Sequence, residues 1–176
     1  MKIIVCSLER APHLIQSERP SHVVSLLSPE EIHLAPETER PDRHLRLPVH
    51  DIRDTESVDG ALAPNLKHVE NLIGFSSGWS PAEPMLVHCW AGISRSTAAA
   101  FTVACAANPD ADETEIAQAL RIASPTAWPN PVLVAHADAL LGRGGRMIEA
   151  IDAIGVPDHF EASPFHIAAA YEPKER

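Results

Sequence analysis

Residues 87–97 read Val87-His88-Cys89-Trp90-Ala91-Gly92-Ile93-Ser94-Arg95-Ser96-Thr97, and the fold turns on how this stretch is built. Met85-Leu86-Val87 before it is a short apolar run that reads as a buried strand. Ser96 to Ala107 after it is alanine-rich and stops at Asn108-Pro109, as a helix does. A strand entering a helix through so short a loop can curl its backbone N–H groups around one point ahead of the helix N-terminus. Such a nest, with the helix dipole behind it, holds a phosphate-sized anion without needing a basic protein. Gly92 permits the tight or positive-φ backbone that the curl requires. Arg95 opens the helix against its dipole, so it needs an anion there, and its planar fork suits two oxygens. Cys89 begins the loop, which puts its sulfur at the base of the cradle, where the dipole, the N–H groups and Arg95 all favour negative charge. A thiolate beneath a bound phosphate is a nucleophile in position.

Outward from this loop, Ile3 to Leu8 and Val23 to Leu27 read as strands, with a short helix opened by Pro12 and closed by Pro20 between them. Ser28-Pro29-Glu30-Glu31 has the form of a capping box and predicts a helix start. His44 to Val49 alternates Leu45, Leu47 and Val49 with polar positions, a third strand that Pro48 ends early or confines to an edge. Leu62, Leu66, Val69, Leu72 and Ile73 recur at helical spacing with Pro64 in the first turn. Downstream, Asp112-x-x-Glu115 caps a segment through Ala123, Asn130-Pro131 starts a helix that Gly142 ends, and Arg146 to Ile154 adds a last helix closed by Gly155. Strands alternating with helices early, then helices alone, predict an α/β fold: a small, largely parallel central sheet flanked by helices, with a mostly helical C-terminal half. Residues 1–160 are expected as one domain and 161–176 as a C-terminal tail.

The chain has 176 residues, 45% hydrophobic and 22% charged, with a formal net charge of −10, enough length to bury a core. That acidity argues against nucleic acid or an anionic membrane surface as partner, since either asks for a basic face. Cys6, Cys89 and Cys105 are an odd count at long spacings, which is neither a disulfide framework nor a thiolate zinc site. The apolar run at the start is too short for a signal peptide, and nothing approaches the roughly twenty apolar residues of a membrane span. A reduced, cytoplasmic protein is the expectation.

His88-Cys89-x5-Arg95-Ser96 resembles the signature of the cysteine-dependent protein tyrosine phosphatases, most closely their compact dual-specificity branch. Ser124-Pro125-Thr126-Ala127-Trp128-Pro129-Asn130 is a looser likeness to a segment where that branch often carries Arg-Pro and then Pro-Asn; Ser124 stands in the arginine's place. The resemblance spans roughly residues 44 to 140 and implies a phosphotyrosine phosphatase-like fold. It also implies hydrolysis of phosphate monoesters on a phosphorylated protein or small molecule: phosphotyrosine, with phosphoserine and phosphothreonine open. Cys89 would form a phosphocysteine while Arg95 and the amides of Trp90, Ala91, Gly92, Ile93 and Ser94 bind the phosphate. Ser96 resembles the hydroxyl that stabilises the departing thiolate, and His88 the histidine that braces the loop. No metal or cofactor is implied. The general acid and base must be a carboxylate upstream: Asp51, directly after the third strand, is preferred, with Asp54 and then Asp59 as rivals.

Other readings compete. A non-catalytic phosphate-binding module can use the same loop, and a rhodanese-type sulfurtransferase also places a cysteine loop at a helix N-terminus. His50-Asp51 with His33, His44, His136 and Asp138 suggests a metal-dependent phosphohydrolase, but His50-Asp51 follows a strand, and solvated histidines account for the rest. Gly142-Arg143-Gly144-Gly145-Arg146 has the look of a phosphate loop inside a helical pattern, where a helix break is the plainer reading. Cys6 and Cys105 read as small buried hydrophobes. The loop interior carries no lysine or additional arginine, which argues against a polyanionic inositol head group.

Overall fold

Among the described residues, 2–54 and 60–174 of this computed structural model, five strands form one sheet: β1 (Lys2–Ser7), β2 (His22–Leu27), β3 (His44–Pro48), β4 (Met85–Cys89) and β5 (Phe165–Ala168). Their order is β3-β2-β4-β1-β5; the first four are parallel, and β5 runs antiparallel to β1. The helices are α1 (Ala11–Glu18), α2 (Leu66–Ser77), α3 (Arg95–Ala107), α4 (Glu113–Ala123), α5 (Pro131–Leu140) and α6 (Arg146–Ile154). This is the expected α/β arrangement of a largely parallel sheet flanked by helices.

The period-2 alternation of strand side chains divides the core. Ile4, Cys6, Val23 and Leu86 face α1, where Ala11, Leu14 and Ile15 cover them. Ile3, Val5, Val24, Leu26, Val87 and Cys89 face the opposite layer, centred on α3. Every residue from Arg95 to Cys105 is buried, because α3 packs on the sheet and is flanked by α2, α4 and α5. Its alanines let those neighbours approach closely, and Phe101 fills the largest space at 0% exposure.

Three sequence readings change. Ser28-Pro29-Glu30-Glu31 starts no α-helix; only a single 3₁₀ turn forms at Ile32–Leu34. Pro36 lies too near: it holds Ala35 extended at φ −56°, ψ 133° and stops propagation. Helix α2 starts at Leu66 and excludes Leu62 and Pro64, because the Asn65 side chain accepts the N–H groups of Lys67 and His68, while His68 Nδ1 accepts the Asn65 N–H. The segment expected as a tail contributes β5, which pairs with β1 and buries Ile167 and Ala169. Four residues alternating in and out carry too weak a pattern to announce a strand.

Gly142–Gly145 is a helix break. The Asp138 carboxylate accepts the N–H of Gly145 at 2.7 Å and of Met147 at 2.9 Å, so the start of α6 is already filled by an anion from the protein. Arg143 and Arg146 turn to the buried Glu113 instead.

Candidate active site

Cys89 ends β4 and Arg95 opens α3, so the loop between them lies at the C-terminal edge of the parallel strands. Gly92 adopts φ +79°, and a Cβ there would lie 2.8 Å from both the Cys6 carbonyl carbon and the Ser7 nitrogen. The loop therefore rests directly on the end of β1, as the β1–β4 register, Ser7 opposite Cys89, requires. Gly92→Ala is expected to lower stability by about 1–3 kcal/mol from backbone strain alone, with more lost to the clash. A fall in the denaturation midpoint of several degrees checks this, and an unchanged midpoint refutes the packing described.

Within the loop Cys89 is 2% exposed, and its sulfur accepts the Gly92 N–H at 3.3 Å and lies 3.1 Å from the Ser96 hydroxyl. Arg95 is 5% exposed; Nη1 donates to the Val49 carbonyl at 2.8 Å, which ties the arginine to the segment after β3. Arg95 Nε is buried with no hydrogen-bond partner among the described residues and lies 4.0 Å from Asp51 Oδ2. A buried, unspent guanidinium N–H is costly unless something polar meets it.

Asp51 stands where the third strand hands over to the following loop. Its Oδ1 accepts from Ser94 Oγ at 2.7 Å and from Asn130 Nδ2 at 2.8 Å, which leaves Oδ2 as the oxygen free to carry a proton. Asn130 is fully buried and uses all its polar capacity: Nδ2 also donates to the Ile52 carbonyl, and Oδ1 caps α5 by accepting from Val132 and Leu133. The sequence marks Asn130 as a helix start and as part of the looser Pro-Asn likeness; its hold on Asp51 depends on a contact 79 residues away in sequence. Asp54 is exposed and does not line the cavity. Asp59 lies outside the described residues. The cavity, about 420 Å³, is bounded by Cys89, Arg95 and Asp51, with Trp90, Trp128 and Phe160 around its mouth.

His88 faces the other side of the sheet from Cys89, at 0% exposure. Its Nε2 lies 2.6 Å from Ser25 Oγ, which also lies 2.7 Å from His44 Nε2. One hydroxyl proton cannot serve two imidazole nitrogens, so at least one ring must itself donate to Ser25. Burial pushes both His88 and His44 down to about 4 from 6.5. Well above pH 6.5 these rings are neutral in both folded and unfolded chains. As the pH falls from 6.5 towards 4, the unfolded chain takes up protons that the folded chain refuses, so stability declines. The thermal midpoint is expected to fall between pH 7 and 5.5, and to fall less steeply in His44→Gln; identical slopes would refute this. Burial pushes the other two thiols, Cys6 and Cys105, up to about 12, with the neighbouring Cys89 adding to the rise at Cys6, so both keep their protons. His33, His44, His50, His136 and Asp138 form no three-residue metal-ligating group among the described residues.

No protein-family model and no curated protein matches the sequence. Solved structures do match. Human DUSP28 superposes with a TM-score of 0.57 at 21% identity, over 80% of this chain and 88% of that one. The fold is that of the dual-specificity phosphatases. A mouse putative dual specificity phosphatase, solved in complex with zinc tungstate, gives 0.55 at 20% identity over 89% of each chain. PTPMT1 gives 0.57 at 17% identity, over 86% of this chain and 94% of that one. On this dual-specificity phosphatase-like frame, Cys89, Arg95 and Asp51 meet at the sheet's C-terminal edge, where ligands bind in open α/β sheets. No helix among the described residues is long and apolar enough to cross a membrane.

Proposed function

We propose that this chain is a metal-independent phosphatase that hydrolyses phosphate monoesters through a phosphocysteine on Cys89. The observation that carries the reading is the shared cavity: a sulfur contacted by an amide and a hydroxyl, a buried arginine with an unspent N–H, and a carboxylate with one free oxygen. In the first step Cys89 Sγ attacks phosphorus and the P–O ester bond breaks. Arg95 and the loop amides hold the three equatorial oxygens, where transition-state charge is spread. Asp51, protonated on Oδ2, gives that proton to the leaving oxygen. In the second step Asp51 takes a proton from water as the water attacks phosphorus. The S–P bond then breaks, and the departing thiolate is met by the Ser96 hydroxyl and the Gly92 N–H. His88, held by Ser25 behind the sheet, keeps the end of β4 in place and transfers no proton.

The substrate is a phosphorylated protein or a small phosphate monoester in the cytoplasm. Phosphotyrosine is the first choice because Trp90, Trp128 and Phe160 offer aromatic surface at the cavity mouth. The test is turnover of phenyl phosphate with chelator present. Turnover that persists and is blocked by vanadate or tungstate supports the reading. Tungstate binding without turnover would instead make the chain a phosphate-binding module, and sulfur transfer from thiosulfate would make it a sulfurtransferase.

A further inference from the structure

Arg53 has no part in the two-step chemistry, yet it lines the same cavity and is engaged on every side. Nη1 donates to Ser94 Oγ at 2.9 Å and to the Trp128 carbonyl at 2.9 Å, and Nη2 donates to the Pro129 carbonyl at 3.3 Å. The guanidinium carbon lies 3.5 Å from the centroid of the Trp128 ring. Trp128 and Asn130 in turn donate their backbone N–H groups to the carbonyls of Ile93 and Ser94. Three consecutive residues are thus fastened to one wall: Asp51 through Ser94 and Asn130, Ile52 through Asn130, and Arg53 through Ser94, Trp128 and Pro129.

The direction of the Ser94 hydroxyl follows from this arrangement. A guanidinium only donates, so a Ser94 lone pair is spent on Arg53 and the single hydroxyl proton is left for Asp51 Oδ1. Asn130 spends the other side of Oδ1. A lysine could not stack on Trp128 and also reach two carbonyls and a hydroxyl with one planar fork.

We propose that Arg53 is a positioning residue. It latches the acid-bearing segment to Trp128 and the phosphate loop, and it polarises Ser94 so that Asp51 presents Oδ2 as its proton-carrying oxygen. This rests on Asp51 being the general acid. An acid held within a fraction of an ångström of its target works far better than one that samples a loop's conformations.

The test exploits the leaving group. A phenoxide needs the proton, whereas a dinitrophenoxide departs without it. Arg53→Gln and Arg53→Lys are each expected to lower kcat on phenyl phosphate by about 10–100-fold, with little change in KM. The first step on dinitrophenyl phosphate, read as the burst of dinitrophenolate in rapid mixing, should stay near wild type. In an Asp51→Asn background, Arg53→Gln should cost nothing further on either substrate. A dinitrophenolate burst slowed as much as phenyl phosphate turnover, a rise in KM alone, or full additivity with Asp51→Asn would overturn the proposal. Hydrogen exchange supplies an arm that needs no turnover: amides of residues 50–54 should exchange faster in Arg53→Gln while those of α3 keep their protection. Unchanged exchange there overturns the latch. A wild type inert towards every phosphate ester would refute the phosphatase reading, and exchange would still decide the latch.

Discussion

Cys89→Ser is expected to lower phenyl phosphate turnover by about 10⁴-fold or more. The two side chains differ by one atom, and the 2%-exposed site accepts serine without repacking, so stability should stay close to wild type. What disappears is the nucleophile. A serine hydroxyl holds its proton at neutral pH, and among the described residues the hydrogen-bond partners at this position are the Gly92 amide and the Ser96 hydroxyl. Neither can accept a proton usefully. Arg95 and the loop amides remain, so vanadate or tungstate binding should survive while turnover does not. Steady-state kinetics paired with calorimetric titration of tungstate separates the two effects. Substantial residual turnover in Cys89→Ser would show that another group does the chemistry.

Asp51→Asn should slow phenyl phosphate turnover by about 10²–10⁴-fold, the usual contribution of a positioned acid and base. Asparagine keeps an oxygen for Ser94 and Asn130 to donate to, so the surrounding hydrogen bonds persist and the missing proton is the main change. The loss should nearly vanish for dinitrophenyl phosphate in the first step, read as a burst of dinitrophenolate in rapid-mixing kinetics. Hydrolysis of the phosphocysteine still needs the base, so that intermediate should accumulate and be detectable by intact mass. Asp54→Ala should leave turnover near wild type, since Asp54 is exposed and away from the cavity lining. A larger effect at Asp54 than at Asp51 would transfer the acid role.

The parts of the fold legible in the sequence were those with a local cause. The strand–loop–helix around Cys89, the Asn130-Pro131 helix start and the glycine-closed helices each follow from a few adjacent residues. Ser28–Glu31 misled because a capping box describes a beginning and says nothing of Pro36 eight residues after Ser28. Strand β5 was invisible because it exists only through its pairing with β1. The same division runs through the candidate site. Cys89, Gly92, Arg95 and Ser96 stand within eight residues and announce their chemistry by spacing. Asn130, Arg53, Ser25 and His44 act across separations that no local pattern records, and only the folded sheet brings them together. Asp51 falls between: its place after a strand points to it, while the contacts with Ser94 and Asn130 that favour it over Asp54 in the proposed role form only in the folded chain.

Strand β5 also alters what the end of the chain means. β1 has two neighbours, β4 and β5, and the tip of β1 is the surface on which Gly92 sits. Trimming the chain before Phe165 would turn β1 from an interior strand into a raw margin, with unpaired amides and carbonyls open to water or to another molecule's strand. The floor beneath the loop from Cys89 to Arg95 would then be anchored from one side only. A stretch that reads as a tail is in effect a buttress, and damage near the C-terminus would be felt two strands away, at Cys89 on β4.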